Sequence, residues 1–403
     1  MTLFRFNALA VLLVLFSCAS SYSQTENSLD EPEEKWYDKF SIRGYVQVRY
    51  NKLLETNSKL QCEQCDASWG GDGGLFLRRV RLVFSGQISN RVYFYVQPDF
   101  ASDVTGELNF GQLRDAYFDL GLDDSNEFRI RLGQSKIPYG FENMQSSQNR
   151  LPLDRADGTN SAIKNERDVG AIFYWAPDEK RQLFTSLVQD GYKGSGDYGV
   201  FAFGVFNGQA ANTSEANKNM HVVARFSYPF EVGNQVIEPG IQAYAGKYEV
   251  LGDNLSDGVK TNADLNYSDR RAALSFVLYP KPFGIQAEYN VGKGPEFNKA
   301  TDSIEVKNLH GGYLMFSYML KFKKEHVLMP FARAQYYDGG KKHELDARSY
   351  RVKELEFGFE WQPLKQFELV AMYTISSRRF EDYVKQDNLQ TGNLLRLQAQ
   401  LNF

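Results

Sequence analysis

The sequence predicts an all-β protein, a 16-stranded antiparallel transmembrane β-barrel with short periplasmic turns and long extracellular loops. Three observations predict it. Apolar and polar residues alternate along most of the chain, which is the period of a strand with one apolar and one wet face. Sixteen such segments are present, most of about 10–12 residues, the length that a tilted strand needs to cross a bilayer. Short and long connections alternate between them.

Composition excludes other classes. The chain has 403 residues, a net charge of −4 and 14% aromatic residues. Its mean hydropathy of −0.46 leaves no room for a bundle of membrane helices, since each helix needs about 20 apolar residues. Because there is no basic excess, nucleic acid is not an expected partner.

The N-terminus has the features of an export signal. Arg5 precedes the short apolar run 8–16, and the small residues Ser21 and Ser23 predict cleavage before Gln24. Residues 1–23 are therefore a predicted signal peptide. A lipoprotein signal through Cys18 is the alternative, although Phe16 stands where such signals prefer a small residue. Residues 24–39 form a predicted acidic linker, and residues 40–403 the barrel.

Two further cysteines, Cys62 and Cys65, are separated by two residues. In an exported chain this spacing predicts a local disulfide that closes one loop. A metal site would need two more ligands, and no histidine lies nearby in the sequence. We therefore expect no metal and no cofactor.

The alternation is clearest in the last segment, where Leu395, Leu397 and Leu401 fall on one face and Arg396 and Gln398 on the other. The sixteen predicted strands are 40–50, 75–88, 91–101, 110–121, 126–136, 168–176, 198–207, 219–229, 235–249, 269–279, 283–292, 310–322, 327–338, 350–362, 366–377 and 392–403. The predicted long loops are 51–74, 137–167, 250–268, 293–309, 339–349 and 378–391.

One segment, 177–197, stands where a short turn is expected but contains the apolar run 183–188. It is predicted to extend a strand or form a small helix at the rim. Two additional strands would change the count of sixteen.

A soluble β-sandwich would also alternate, with its apolar faces packed on each other. Here the wet faces are crowded with Arg, Tyr, Gln and Asp, and the strand count is even. The last alternating strand ends on the aromatic Phe403. Because a sheet in lipid must close to satisfy its edges, these features favour a membrane barrel.

Strand parity predicts that many arginines face the lumen. A channel selects ions by the charges at its narrowest part, and the planar fork of arginine suits phosphate. These arginines also have a plainer explanation, since Asp99, Asp115 and Asp119 share the lumenal parity and could pair with them. The predicted lumenal arginines are Arg43, Arg49, Arg79, Arg81, Arg129 and Arg131.

Catalysis is not expected. The four histidines, His221, His310, His326 and His343, have no serine and acidic partners at a suitable spacing, so no nucleophile beside a base is predicted. A plugged barrel that acts as an adhesin or scaffold stays open as an alternative to a channel.

Four runs resemble the phosphate-selective porin O and P family. They are FLRRVRL at 76–82, LRDAYFD at 113–119, RLGQSKIPYG at 131–140 and ERDVG at 166–170. The resemblance implies a sixteen-stranded outer-membrane barrel, a homotrimer in outer-membrane lipid that passes anions such as phosphate by diffusion. A general, non-selective porin is the less specific form of this prediction.

The resemblance also implies a site. In this family the third long loop, here 137–167, folds into the lumen and narrows it. The family's phosphate-binding positions match Arg78, Arg79, Lys136, Ser146, Ser147 and Arg150 in this sequence. Asp115 is expected to complete the ring as a carboxylate that orients the arginines.

Overall fold

A computed structural model of the protein describes residues 36–52, 57, 60, 74–104, 107–322 and 326–403. The chain divides into two compact units, Met1–Asp38 and Lys39–Phe403. Of the first unit the structure describes only residues 36–38, which belong to a short 3-10 helix, Trp36–Lys39. The predicted signal peptide and both cysteines of the predicted disulfide lie outside the described residues, as does the linker up to residue 35.

Within the described residues of the second unit, sixteen strands form one antiparallel sheet. They follow each other in chain order, as expected for a barrel of hairpins. Two strands are interrupted, and both pieces of each pair with the same following strand. The strands are β1 (Phe40–Lys52), β2 (Leu75–Ser89), β3 (Val92–Val104), β4 (Glu107–Gly121), β5 (Phe128–Lys136), β6 (Arg167–Trp175), β7 (Phe201–Phe206), β8 (His221–Ser227 and Phe230–Val232), β9 (Gln235–Glu249), β10 (Asn266–Leu278), β11 (Phe283–Asn298), β12 (Ser303–Tyr318 and Leu320–Lys321), β13 (Val327–Gly340), β14 (Ser349–Leu364), β15 (Phe367–Glu381) and β16 (Leu389–Asn402).

The sheet closes on itself. Strand β1 pairs with β2 on one side and with β16 on the other, from Tyr45 opposite Asn402 to Lys52 opposite Leu395. At the seam Gly44 N donates to Phe403 O at 2.8 Å, and Phe403 N donates to Gly44 O at 3.0 Å. Closure leaves β1 and β16 without an unpaired edge, which a sheet in lipid requires.

The two faces of the strands have opposite chemistry. On β14, Glu354 and Glu356 point inward and are buried, while Leu355 and Phe357 point outward and are 47% and 49% exposed. Apolar side chains therefore cover the outside and charged side chains fill the inside, the reverse of a soluble protein. Such an apolar outer band is stable only against lipid.

The connections differ at the two ends of the barrel. One end, called the loop end below, carries most of the long connections. The other, the turn end, carries short turns and one longer connection. Loop 3, residues 137–166, contains two single-turn helices, α1 (Phe141–Met144) and α2 (Asp157–Asn160), and a 3-10 turn, Lys164–Glu166. Two other loops contain the 3-10 turns Gly252–Asn254 and Leu345–Ala347.

The ambiguous segment 177–197 contains a helix, α3 (Asp178–Gln189), at the turn end. Phe184 packs there against Ala176 and Val200. It adds no strand, so the predicted count of sixteen is confirmed. Among the described residues, no helix is both long and apolar enough to cross a membrane.

One loop prediction was wrong. Residues 293–309 were predicted as a long loop, but β11 continues to Asn298 and β12 begins at Ser303, directly opposite it. This hairpin extends beyond the apolar band, where both faces carry polar residues such as Lys293 and Lys307. The alternation of apolar and polar residues is lost there, although the strands continue.

Candidate functional site

Loop 3 lies inside the barrel and is fixed to several walls. Its first part packs through Ile137 and Tyr139 on β6–β10, in a cluster with Tyr174 and Tyr244. Its middle part packs through Leu151 and Leu153 on β12, β13 and β15, in a cluster with Phe331 and Met372. The inward-folded third loop that the sequence predicted is therefore present, and it crosses the lumen.

Polar contacts fix the same loop. Arg333 on β13 donates to Glu142 at 2.6 Å and to the Asp154 carbonyl at 2.9 Å, and it also pairs with Glu356 on β14. Asp154 pairs with Arg396 on β16 and, at 3.6 Å, with Arg49 on β1. Although burial opposes ionisation, Arg49 and Arg396 hold the pKa of the Asp154 carboxyl well below its usual range.

Two β-bulges turn additional arginines toward the lumen. Gln47 pairs with Arg79 but Val48 pairs with Leu77, which leaves Arg78 without an opposite residue on β1. In the same way Gln97 pairs with Asp115 and Pro98 with Leu113, which leaves Arg114. Since a bulge shifts the alternation by one residue, Arg78 and Arg79 both reach the lumenal side. Arg114, which strand parity missed, is also buried there.

Three buried arginines of the lumen, Arg79, Arg114 and Arg150, have no carboxylate within 4 Å among the described residues. Arg79 Nη1 donates to Gln47 at 2.8 Å, and Arg114 Nη1 to Gln112 at 3.3 Å. In each case the buried Nε has no hydrogen-bond partner in the described chain.

Arg150, in loop 3, is the most exceptional of the three. It is 5% exposed, and both Nε and Nη1 are buried without a partner among the described residues. Burial, followed by the charge of Arg155, lowers the pKa of the Arg150 guanidinium. Arg150 is also close enough to Arg79 for their charges to repel each other. Buried N–H donors without an acceptor are energetically unfavourable, so an acceptor that reaches Nε and Nη1 of Arg150 would be stabilised there.

Three of the other predicted arginines, Arg81, Arg129 and Arg131, are neutralised by carboxylates. Arg81 pairs with Asp99 at 2.7 Å, Arg129 with Asp197 at 2.8 Å, and Arg131 holds Asp119 through two hydrogen bonds of 2.7 and 2.8 Å. These pairs match the plainer explanation, in which arginine and aspartate line a wet wall.

Arg43 is exposed near the turn end, and its guanidinium carbon lies 5.9 Å from the centre of the Tyr95 ring. It precedes by four residues Gln47, the residue on β1 that accepts a hydrogen bond from Arg79. Asp115 pairs with Arg167 at 2.9 Å. The predicted orienting carboxylate thus contacts an arginine outside the predicted set.

Lys136 contacts loop 3, and Ser147 joins the loop to the barrel wall. Lys136 Nζ donates to the carbonyls of Met144 and Gln145 at 2.8 and 2.6 Å. Ser147 Oγ lies 2.6 Å from Tyr45 Oη and accepts from Arg81 at 3.2 Å. Ser146 is half-buried, and its carbonyl accepts from Asn149 N at 2.9 Å.

A second segment enters the lumen from the turn end. This turn-end segment, residues 190–200, follows α3 and was not predicted. Lys193 Nζ lies 2.5 Å from Glu360 on β14, and the Lys193 carbonyl accepts from Gln145 at 2.6 Å. Burial acts against the charge of Lys193, but Glu360 raises its pKa overall. The lumen is therefore crossed by two connected segments.

The family is identified by comparison. A model of the family described as phosphate-selective porin O and P matches residues 69–403. The chain belongs to this family. It is thus an outer-membrane channel protein and not an enzyme, as the sequence predicted.

Solved porin structures share the fold at low sequence identity. The outer membrane channel DcaP of Acinetobacter baumannii is 14% identical, covers 90% of this chain and 97% of its own, and has a TM-score of 0.56. Salmonella typhi OmpF, solved with daunomycin, is 13% identical over 90% and 97% of the two chains, with a TM-score of 0.55. An anion-selective porin from Comamonas acidovorans is 11% identical over 90% and 99%, with a TM-score of 0.51. No curated protein sequence matches significantly.

No group of three or more His, Cys, Asp or Glu residues suited to a metal ion occurs in the described part of the chain. The buried His221 lies between the rings of Phe206 and Tyr244, and His343 Nε2 accepts from the backbone of Lys164. Both contacts are structural.

Proposed function

We propose that this porin prefers anions and holds phosphate, or an oxyanion of similar shape, between Arg79 and Arg150. The observation that carries the proposal is the buried, unpartnered pair of nitrogens on Arg150. Arg78 and Lys136 lie in the same region and add positive charge.

The geometry favours a tetrahedral oxyanion over chloride. Two guanidinium forks offer several fixed N–H donors, which match the oxygens of phosphate better than a spherical ion. A bound anion also relieves the repulsion between Arg79 and Arg150. Because diffusion requires release, the site must bind weakly enough for the ion to leave.

Other predicted residues hold loop 3 in place or line the wall, without contacting the anion. Lys136 holds the carbonyls at the end of α1, and Ser147 fixes the tip of loop 3 to β1 and β2. Arg129 and Arg131 line the wall in neutral pairs. We therefore assign direct anion contact to the arginines and a positioning role to Lys136 and Ser147.

The turn-end segment favours one alternative, a barrel whose lumen is closed and which acts as an adhesin or scaffold. Lys193 and Glu360 join this segment to the opposite wall, so that it reduces the free cross-section. A channel in this state would conduct only poorly until the segment moves.

The proposal includes three features that accompany export. Cleavage before Gln24 would release the mature chain, and a disulfide would join Cys62 and Cys65. The protein would assemble as a homotrimer in the outer membrane, with the loop end outside the cell and the turn end in the periplasm.

Reconstitution in planar bilayers tests the function. The reversal potential under a potassium chloride gradient gives the ion preference, and added phosphate should reduce the chloride current. Arg150→Gln should remove that block, whereas Arg43→Gln, which removes an exposed lumenal charge outside the site, should leave it. Chloride current without phosphate block in the wild type would reduce the protein to a general porin. No current from folded protein would favour the closed scaffold.

A further inference from the structure

The outer surface of the barrel carries a belt of basic residues on one sector. On β9, β10 and β11 the outward apolar series ends, toward the loop end, on a cation: Lys247, Arg270 and Lys293. All three side chains are exposed. Lys353 on β14 and Arg379 on β15 also point outward near the loop end, but they are separated from this belt by β12 and β13, which place His310 and Asp338 on the outer face.

The belt does not surround the barrel. On β6, β7 and β8 the outward residues near the loop end are Val169, Val205 and Val222. Val169 and Val222 are 45% and 42% exposed. The basic residues therefore mark one sector of the surface, and uniform charging of a rim does not account for them.

Three of these cations are adjacent. Arg270 and Lys293 lie directly opposite each other on β10 and β11. Arg270 is opposite Ala245 on β9, two residues from Lys247, so Lys247 is its diagonal neighbour. Like charges at directly opposite positions of a sheet repel each other.

The protein does not neutralise these charges. Among the described residues, no carboxylate lies within 4 Å of Lys247, Arg270 or Lys293. The next outward acid on β9, Glu249, accepts a hydrogen bond from Asn266. By contrast, Arg351 on β14 pairs with Asp338 at 2.7 Å. Exposed cations at the edge of an apolar band are stabilised by anionic lipid headgroups.

We infer that Lys247, Arg270 and Lys293 form a binding site for the phosphate groups of an anionic lipid in the leaflet at the loop end. The acyl chains of such a lipid would lie along the apolar band below, on Leu274, Val291 and their neighbours, which are exposed. The inference depends on the membrane position of the barrel but not on its ion selectivity.

Native mass spectrometry of the folded protein in detergent tests the site. The probes are bis-phosphorylated lipid A and the same lipid without its phosphates. We expect the phosphorylated lipid to be retained about tenfold more strongly, since each cation adds to the attraction. The double variant Arg270→Gln/Lys293→Gln should lose this preference.

A matched control removes the same charge elsewhere. Arg91 and Lys365 are exposed in connections at the turn end, away from the belt, so Arg91→Gln/Lys365→Gln should keep the wild-type preference. Heat-modifiable migration on gels confirms that each variant is folded. Equal retention of both lipids by the wild type, or an unchanged preference in the belt variant, would refute the site.

Two further outcomes are distinguishable. If the belt variant no longer forms the oligomer but still retains the phosphorylated lipid, lipid binding at the belt is refuted. The belt would then be assigned to a contact between copies of the chain. Because these side chains point outward, the belt variant should keep the conductance and any phosphate block of the wild type. A wild type without phosphate block but with the lipid preference would refute only the proposed anion site.

Discussion

Replacement of Arg333 by leucine should release loop 3 from the far wall of the barrel. The guanidinium is completely buried and pairs with Glu142 of the loop and Glu356 of β14. It also donates to the Asp154 carbonyl at 2.9 Å. Without it, two buried carboxylates lose their shared partner.

The size of the effect follows from burial. Removing one partner of a buried ion pair costs about 3–5 kcal/mol, because the other charge stays buried and unpaired. The loop can avoid this cost by moving into the lumenal water. A change of about 3 kcal/mol shifts the balance between the docked and the released loop by roughly 100-fold.

Single-channel recording in planar bilayers measures the result. The variant should show a larger conductance and more open-channel noise than the wild type, while the heat-modifiable barrel remains folded. Arg333→Lys should be intermediate, since an ammonium cannot span all three acceptors. The matched control is Arg351→Leu, which breaks only an exposed pair worth about 0–1 kcal/mol. A conductance and noise equal to the wild type in Arg333→Leu would refute the view that these contacts hold the constriction.

Three other predictions follow from the lumen. Lys193→Met should free the turn-end segment and raise the conductance. Lys281→Met, which removes only a contact with the Tyr192 ring at 4.6 Å, should leave the conductance unchanged. Equal conductance of the two variants would contradict the view that the turn-end segment narrows the lumen. Arg114→Gln should move the reversal potential toward zero but keep the phosphate block, because Arg114 adds lumenal charge outside the Arg79–Arg150 pair. An unchanged reversal potential would show that the charge of Arg114 does not contribute to ion selectivity. Asp154→Asn should change the conductance by the same factor at pH 7 and at pH 5. The low folded-state pKa of Asp154 means that its stabilising contribution is present above the ordinary carboxyl pKa of about 3.9 and is lost only as the pH falls through the lower folded value. A difference between wild type and variant that disappears near pH 5 would disagree.

The strands could be predicted because a membrane barrel keeps the strictest alternation of any fold. Each strand has one side in lipid and one in the lumen, so its period is visible in a single sequence. The signal fails where a strand leaves the membrane, as between Lys293 and Ser303. It also fails at the run 183–188, since a short apolar run fits a helix and a strand equally well.

The candidate site was predictable in part for a different reason. Arg79 was predicted by strand parity and by a resemblance, whereas Arg78 and Arg150 came from the resemblance alone, and parity would have pointed Arg78 to the lipid. The bulge that turns it inward depends on β1, which is distant in sequence from β2. Arg114 was missed for the same reason. The sequence did hold a signal, since in both bulges an outward leucine precedes two consecutive lumenal charges: Leu77 precedes Arg78 and Arg79, and Leu113 precedes Arg114 and Asp115.

The seam between β1 and β16 governs the order in which the molecule can assemble. The second edge of the first strand is paired only when the sixteenth strand is in place, so any partly formed sheet is open until then. During that time its apolar face and two free edges are exposed to association with other chains. Closure is also the contact of greatest separation along the barrel sequence, which makes it a slow event. The hydrogen bonds between Gly44 and Phe403 therefore mark the step at which an aggregation-prone sheet becomes a barrel without edges.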